Sequence, residues 1–199
     1  MWSGVYAEAS MSLDGYIADP DQGGFDQLFQ WYGNGDVHTP TAKPDLPFWT
    51  SPASADHLRR RTMGETGALV VGRRLFELTA GWDGQHPLDK PVVVVTHQVP
   101  YGWPRDDAPF TFVTDGIASA IDHARELAGG RWVGVNGGTI TRQCLEAGLL
   151  DEIRVNLVPV LLGDGVPFFG RLGVGPVELD NPTVVEGDRV THLYYRVRR

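Results

Sequence analysis

Gly134-Val135-Asn136-Gly137-Gly138-Thr139-Ile140 stands between an apolar run that begins at Trp132 and an amphipathic segment that ends at Gly148. A strand that ends in two glycines and leads directly into a helix is typical of a phosphate-binding turn. Glycines let a ligand approach the backbone, and the helix N-terminus offers unpaired N–H groups. Thr139 is a candidate N-cap of this helix. A plain tight turn between a strand and a helix explains the same residues equally well.

Short apolar strands alternate with helices on both sides of this turn. We expect strands at residues 68–71, 91–96, 110–113, 132–135 and 152–162, and helices at 116–128 and 139–147. This alternation is typical of a parallel sheet covered on both faces. Three extended segments without a helix follow residue 176, and Glu186-Gly187-Asp188-Arg189 is a candidate hairpin turn. We predict a three-layer α/β fold whose mostly parallel central sheet has an antiparallel C-terminal edge.

Composition limits the partners of the chain. Its 199 residues suit one α/β domain, and the net charge of −8 disfavours nucleic acid or an anionic membrane as a partner. We see no leader and no apolar run long enough to span a membrane, so we expect a cytoplasmic protein. The single cysteine and the six histidines show no metal-ligand spacing, and we predict no metal site.

The segment from residue 19 to residue 50 interrupts the regular pattern. It mixes glycines and prolines with aromatic residues, which include Trp49. Disordered segments are poor in aromatics, so we expect a folded lid or substrate loop within a single domain over residues 1–199. A helix follows, with Ser51 as its N-cap and Pro52 at its first position.

Three motifs together resemble the dihydrofolate-reductase-like superfamily. They are Ser12-Leu13-Asp14-Gly15-Tyr16-Ile17-Ala18, Val71-Gly72-Arg73-Arg74-Leu75-Phe76-Glu77, and the block from Asn136 to Phe169. The block resembles one branch in particular, formed by the reductase domain of bacterial riboflavin-biosynthesis deaminase/reductases and its stand-alone relatives. The resemblance covers nearly the whole chain except the loop at residues 19–50. It implies a reductase-type fold that uses NADPH, and it implies that the chain forms a homodimer.

The resemblance also carries cofactor contacts over to this sequence. In the family the Gly-Gly peptide is cis and holds the pyrophosphate with the helix start, and arginines after a strand select the 2′-phosphate of NADPH. The first-strand loop contacts the nicotinamide amide. The matching positions are Ile17, Ala18, Gly72, Arg73, Arg74, Thr96, Asn136, Gly137, Gly138, Thr139 and Ile140. Thr114 is a further candidate because it follows a strand at the edge where open α/β sheets bind ligands. Ion pairs with surface carboxylates are the alternative role for Arg73 and Arg74.

Catalytic residues are less clearly marked. Asp56 lies 16 positions before Gly72, where dihydrofolate reductases place an acid that binds the pteridine, but a residue that stabilises the helix dipole explains it as well. Asp14 matches the loop that closes over the cofactor, although it equally suits a turn before Gly15. Leu75 replaces the threonine of the family pattern, which removes one hydroxyl from the cofactor side. We expect Trp49 and Phe168 to contact substrate.

The function implied is an NADPH-dependent oxidoreductase that transfers hydride to a small planar heterocycle of the pyrimidine, pteridine or flavin-like kind. Hydride chemistry belongs to the cofactor, so the protein needs few polar side chains besides a proton source. Two alternatives stay open. One is a true dihydrofolate reductase, and the other is a nucleotide-binding protein without turnover.

Overall fold

The computed structural model describes residues 3–21 and 23–198. Its strands are β1 Val5–Ser12, β2 Tyr16–Ala18, β3 Val37–Thr39, β4 Phe48–Thr50, β5 Thr66–Gly72, β6 Val92–Val95, β7 Phe110–Val113, β8 Trp132–Asn136, β9 Glu152–Val158, β10 Val166–Pro167, β11 Thr183–Gly187 and β12 Val190–Arg196. Its α-helices are α1 Phe25–Leu28, α2 Pro52–Asp56, α3 Arg73–Leu78, α4 Ile117–Ala128 and α5 Gly138–Glu146. Helix α2 continues with π-type geometry over His57–Gly64, and 3₁₀ turns cover Gln30–Tyr32 and Ala80–Gly84.

Eight strands form one sheet in the order β11-β12-β9-β1-β8-β5-β6-β7. The six strands from β9 to β7 are parallel to one another. β12 pairs with β9 in the antiparallel sense, and β11 pairs with β12 through the hairpin predicted at residues 186–189. The predicted mostly parallel sheet with an antiparallel C-terminal edge is confirmed.

Helices cover the two faces of the sheet because its central strands are apolar on both sides. β6 consists of four valines, three of them fully buried. Helix α4 places Ala120, Ala124 and Ala128 on one buried stripe, where the small side chains bring the helix close to the sheet. No helix within the described ranges is long and apolar enough to cross a membrane.

Helix α5 begins differently from the prediction. Its N-cap is Gly137, with a φ of 99°, and no side chain caps the helix; Thr139 instead lies inside the first turn. The peptide between Gly137 and Gly138 is trans, since the cis bond found in the described part of the chain joins Trp103 to Pro104. The N-cap role of Thr139 and the cis Gly-Gly peptide were therefore wrong. Ser51 is confirmed as the N-cap of α2, where its hydroxyl accepts a hydrogen bond from the backbone N–H of Ser54.

The segment before α2 is folded. It contains α1, a 3₁₀ turn and the β3–β4 hairpin. Leu28 and Trp31 have no exposed surface, and Trp31 packs in a small core with Leu58, Val158 and Val190. The aromatic residues of this segment are therefore partly core residues, and its role as a lid stays a prediction.

Candidate functional site

Four neighbouring strands end at one edge of the sheet and bring most of the predicted cofactor residues together. Val71 pairs with Asn136, Gly72 pairs with Val95, and Val95 pairs with Val113. Because these strands are parallel, the residues that follow them share the same edge. Gly72, Asn136, Thr96 and Thr114 therefore mark one continuous rim, as expected for a ligand site in an open α/β sheet.

The two glycines of the turn are needed for different reasons. Gly137 adopts a φ of 99°, which favours glycine, and a Cβ there would meet no atom within 4 Å. A Cβ on Gly138 would lie 2.4 Å from the carbonyl oxygen of Pro167, so Gly138 is required by packing within the chain. The open side of the turn is at Gly137, next to the uncapped first turn of α5. Thr139 is exposed there, whereas Ile140 is buried against the core.

The two arginines after β5 have different surroundings. Arg73 forms an ion pair with Glu77 at 2.7 Å and donates to the backbone oxygen of Gln98 at 2.7 Å. Its guanidinium also lies 3.4 Å from the hydroxyl oxygen of Thr96, so it links the ends of β5 and β6. Arg74 is exposed and forms no ion pair within the described ranges. Arg74 is therefore the guanidinium at this rim that is available to an anionic ligand.

The first-strand loop is held by its own acid. Asp14 accepts hydrogen bonds from the Ser12 hydroxyl at 2.6 Å and from the backbone N–H groups of Leu162 at 3.2 Å and Gly163 at 2.7 Å. The Ser12 hydrogen bond, with those from the backbone, lowers the pKa of the Asp14 carboxyl. These contacts give Asp14 a structural role and leave the expected catalytic role without support. Ile17, partly buried, and Ala18, buried, lie in β2, which pairs with β10.

The other predicted catalytic and substrate residues lie away from a shared pocket. The side chain of Asp56 is 60% exposed and pairs with Arg60 at 2.7 Å on the solvent side of its helix. Trp49 is 46% exposed and packs against the ring of His38 at a tilt of 35°. Phe168 has no exposed surface and belongs to the main hydrophobic core. The environment of Phe168 is that of a core residue, and its contact with substrate stays a prediction.

A buried polar cluster on the face of the sheet covered by α2 was not predicted. It consists of Glu8, His57, Asn156, His192 and Tyr194. Oε1 of Glu8 accepts hydrogen bonds from Nε2 of His57 at 3.1 Å and from Nδ2 of Asn156 at 3.0 Å. Nδ1 of His192 lies 2.7 Å from Oδ1 of Asn156, and Nδ1 of His57 bonds the Tyr194 hydroxyl. Despite the two histidines, no group of His, Cys, Asp or Glu side chains in the described ranges is arranged to hold a metal ion.

Burial and mutual contacts set the charges of this cluster. Burial alone would raise the pKa of Glu8, but the hydrogen bond and electrostatic attraction of His57 outweigh it and lower that pKa to about 2. Burial, with repulsion from His57, lowers the pKa of His192 to about 3. A neutral His192 donates from Nδ1 to Asn156 and accepts at Nε2 from the Ser54 hydroxyl, 2.9 Å away. Glu8 is thus an ionised acid held among oriented hydrogen-bonding groups.

Arg154 forms a second buried network on the same face. Its side chain is 1% exposed, donates to Glu152 at 2.6 Å and Glu65 at 2.8 Å, and lies over the ring of Tyr6 at 3.7 Å. The two networks are neighbours because Arg154 and Asn156 lie two positions apart on the same face of β9, as Tyr6 and Glu8 do on β1. The signal for this network in the sequence is a charged residue in the middle of a strand, which the predicted apolar run over residues 152–162 does not explain.

Nearly the whole chain matches a known protein family. A family model described as the RibD C-terminal domain matches residues 4–192. The chain belongs to this family. Membership confirms the resemblance inferred from the three motifs and supports a reductase-type function. No curated protein matches the chain in sequence.

Solved structures confirm the dihydrofolate-reductase-like fold. A riboflavin biosynthesis protein from Shewanella sp. PV-4 is 26% identical with a TM-score of 0.68, over 98% of this chain and 99% of that one. Dihydrofolate reductase from Enterococcus faecalis, complexed with NADP(H) and RAB-propyl, is 13% identical with a TM-score of 0.58, over 98% and 97% of the two chains. RibD from Acinetobacter baumannii is 16% identical with a TM-score of 0.63, and the match spans 99% of this chain and 58% of RibD. The two more distant likenesses show the fold alone.

Proposed function

We propose that this chain is an NADPH-dependent reductase that transfers hydride to a small planar heterocycle of the pyrimidine, pteridine or flavin-like kind. The observation that carries the proposal is the shared rim at the ends of β5 to β8, where an uncapped helix start, an open glycine turn and an available arginine meet. Membership of the RibD C-terminal domain family supports it.

The residues at the rim fit the phosphates of such a cofactor. The first-turn N–H groups of α5 lack a side-chain cap and suit a pyrophosphate, which Gly137 leaves room to approach. The guanidinium of Arg74 suits the 2′-phosphate, with Arg73 held beside it by Glu77. When bound, the cofactor supplies the hydride. The chain orients the cofactor and excludes water from it. The β2–β10 pair holds Ile17 and Ala18 against the loop after β9.

Thermal unfolding with each nucleotide tests the proposal. NADPH should raise the melting temperature more than NADH at matched concentration, because a ligand that binds only the native state stabilises it. Arg74→Ala should remove most of this selectivity, since a charge-assisted hydrogen bond contributes about 1.5–3 kcal/mol. Arg60→Ala, also an exposed arginine, is the matched control and should keep the NADPH shift. Equal shifts with both nucleotides in the wild type would contradict the choice of cofactor.

The two alternatives are separable. Asp56 is exposed and paired with Arg60, so the acid expected of a true dihydrofolate reductase has no support at that position. A nucleotide-binding protein without turnover would show the NADPH shift but would oxidise no NADPH with any pyrimidine, pteridine or flavin offered. Steady NADPH oxidation with one of these heterocycles supports the reductase.

We also infer that the chain forms a homodimer. The face of β1, β9 and β12 that lies opposite the polar networks is apolar and forms a groove of about 410 Å³. Its lining residues are Met11, Leu13, Ile153, Val155, Leu157, Phe169, Leu179, Leu193 and Tyr195. A second copy would remove this surface from water. Light scattering after size exclusion should give twice the chain mass for the wild type and the chain mass for Leu193→Lys.

A further inference from the structure

The two carboxylate oxygens of Glu8 have unlike surroundings. Oε1 lies within hydrogen-bond distance of His57, Asn156 and the Thr62 hydroxyl, the last at 3.3 Å. Oε2 is buried and accepts no hydrogen bond from any residue in the described ranges. The side chain as a whole is only 9% exposed. Buried polar atoms in folded proteins nearly always have partners, so an orphaned oxygen on a buried, ionised acid indicates a donor from outside the chain.

Glu8 lies beside the proposed cofactor rim. Its backbone oxygen accepts a hydrogen bond from Nδ2 of Asn136 at 3.2 Å, and Asn136 directly precedes the glycine turn. Its side chain points to the opposite face of β1 from Ala7 and Ala9, toward His57 and Thr62 of the helical segment after α2. Glu8 thus joins the rim, through its backbone, to the buried polar cluster, through its side chain.

Aromatic rings from the predicted lid close over the cluster. Trp31 donates from Nε1 to the Ser10 hydroxyl at 3.0 Å and meets the ring of His192 edge-on at 5.0 Å. Trp31 also packs against Tyr32, with ring centroids 4.2 Å apart. An acceptor beneath flat aromatic surfaces suits a planar ring that carries an N–H group, because the ring packs against the aromatics while its edge reaches the acid.

We propose that Glu8 anchors the substrate by accepting, at Oε2, a hydrogen bond from an N–H group of the heterocycle. His57 and Asn156 are positioning residues that hold Oε1 and so fix the direction of Oε2. The inference rests on the proposed function and deepens it, because it makes the substrate class one of heterocycles with a ring or exocyclic N–H. A carboxylate accepts and does not donate, so a ring without an N–H group gains nothing from Glu8.

Two probes with the same ring and carbonyl groups test this anchor, and the Glu8→Gln variant separates the lost hydrogen bond from the added bulk of the methyl groups. Uracil carries two ring N–H groups, and 1,3-dimethyluracil carries none. The affinity of each is measured by ligand-observed NMR for the wild type, for Glu8→Gln and for Glu152→Gln, which makes the same change at another buried acid of the sheet. The wild type and Glu152→Gln should prefer uracil by about tenfold or more, as expected for a hydrogen bond to a charged group. Glu8→Gln should lose that preference.

The wild type alone keeps the inference testable if Glu8→Gln does not fold. Uracil should move the ¹³C resonance of the Glu8 carboxylate, and 1,3-dimethyluracil should leave it in place. Equal affinity for the two probes in the wild type, an unmoved Glu8 resonance, or an unchanged preference in Glu8→Gln overturns the anchor. The NADPH thermal shift on the same samples separates the proposals. A preserved shift without a uracil preference overturns the Glu8 inference alone, and a lost shift with the preference preserved overturns the choice of cofactor alone.

Discussion

The rim at the ends of β5 to β8 and the polar cluster around Glu8 adjoin each other across β1, but they are built in opposite ways. At the rim, Arg74 and Thr139 are exposed and the turn at Gly137 opens to solvent. In the cluster, almost every polar atom is buried and bonded to a group from another strand or helix. Charge at the rim is therefore available for binding a ligand, whereas charge in the cluster stabilises the fold, except at one oxygen of Glu8.

Breaking the buried polar face should have the largest effect on stability. Arg154→Leu removes the buried guanidinium that pairs with Glu152 and Glu65, and leaves both acids paired only with the more exposed Arg61. We expect the free energy of unfolding to fall by about 3 kcal/mol, because removing one partner of a buried ion pair leaves the buried Glu152 with a weaker partner. Urea denaturation at neutral pH measures this loss. Arg125→Leu, which removes an exposed arginine paired with Asp122, should lower the free energy of unfolding by about 1 kcal/mol or less. Equal losses in the two variants would contradict the expected difference between buried and exposed charge.

A change at the rim should cost less, and for a different reason. Gly138→Ala places a Cβ 2.4 Å from the Pro167 carbonyl oxygen, so the turn or the β10 segment must move. We expect a loss of about 1–3 kcal/mol in the absence of nucleotide, as for overpacking elsewhere. Gly33→Ala serves as the control, because its Cβ would meet only the Gln30 backbone oxygen, at 4.0 Å. If Gly138→Ala weakened NADPH binding and left unfolding unchanged, the glycine would serve the cofactor and not the packing.

Lowering the pH should reduce the free energy of unfolding through the buried His192 of the cluster. The pKa of His192 is lowered to about 3 in the folded protein, so between pH 6.5 and pH 5 the unfolded chain binds more protons than the folded chain. Stability therefore falls as pH falls, by at most about 1.4 kcal/mol per pH unit for each such histidine. His86, whose pKa burial lowers to about 4, acts in the same direction.

His192→Gln isolates the part that belongs to the cluster. Glutamine can donate to Asn156 but does not titrate, so the variant should keep only the slope that His86 contributes. Urea denaturation at pH 6.5, 6 and 5 measures both slopes. Identical slopes for the wild type and the variant would mean that His192 is protonated within the folded protein.

The rim was predictable because its residues are local in the sequence. A glycine pair between a strand and a helix, or an arginine pair after a strand, places its groups through the geometry of one turn. Parallel pairing then brings separate turns to the same edge, as the Val71–Asn136 pair does. The errors at the rim were errors of detail, such as the N-cap role of Thr139, which backbone conformation at Gly137 decided.

The cluster was not predictable in the same way. Glu8, His57, Asn156 and His192 come from β1, the helix after α2, β9 and β12, and no local spacing connects them. Their meeting depends on strand order and on the register that places Asn156 opposite both Ser10 and His192. The sequence spacing predicts the substrate acid on α2 at Asp56, one residue before the buried His57. A helix turns by about 100° per residue, so one position separates a solvent face from a core face.

Asp56 provides the smallest effect and the closest contrast with Glu8. Its carboxylate is 60% exposed and pairs with Arg60 within one helical turn. Asp56→Asn should change the free energy of unfolding by only about 0–0.5 kcal/mol, because solvent screens an exposed ion pair of this kind. It should also leave the NADPH shift and the preference for uracil intact. Differential scanning calorimetry and the two binding assays measure these quantities. A strong loss of uracil preference in this variant would mean that the acid that binds substrate is Asp56 on the helix and not Glu8 in the cluster.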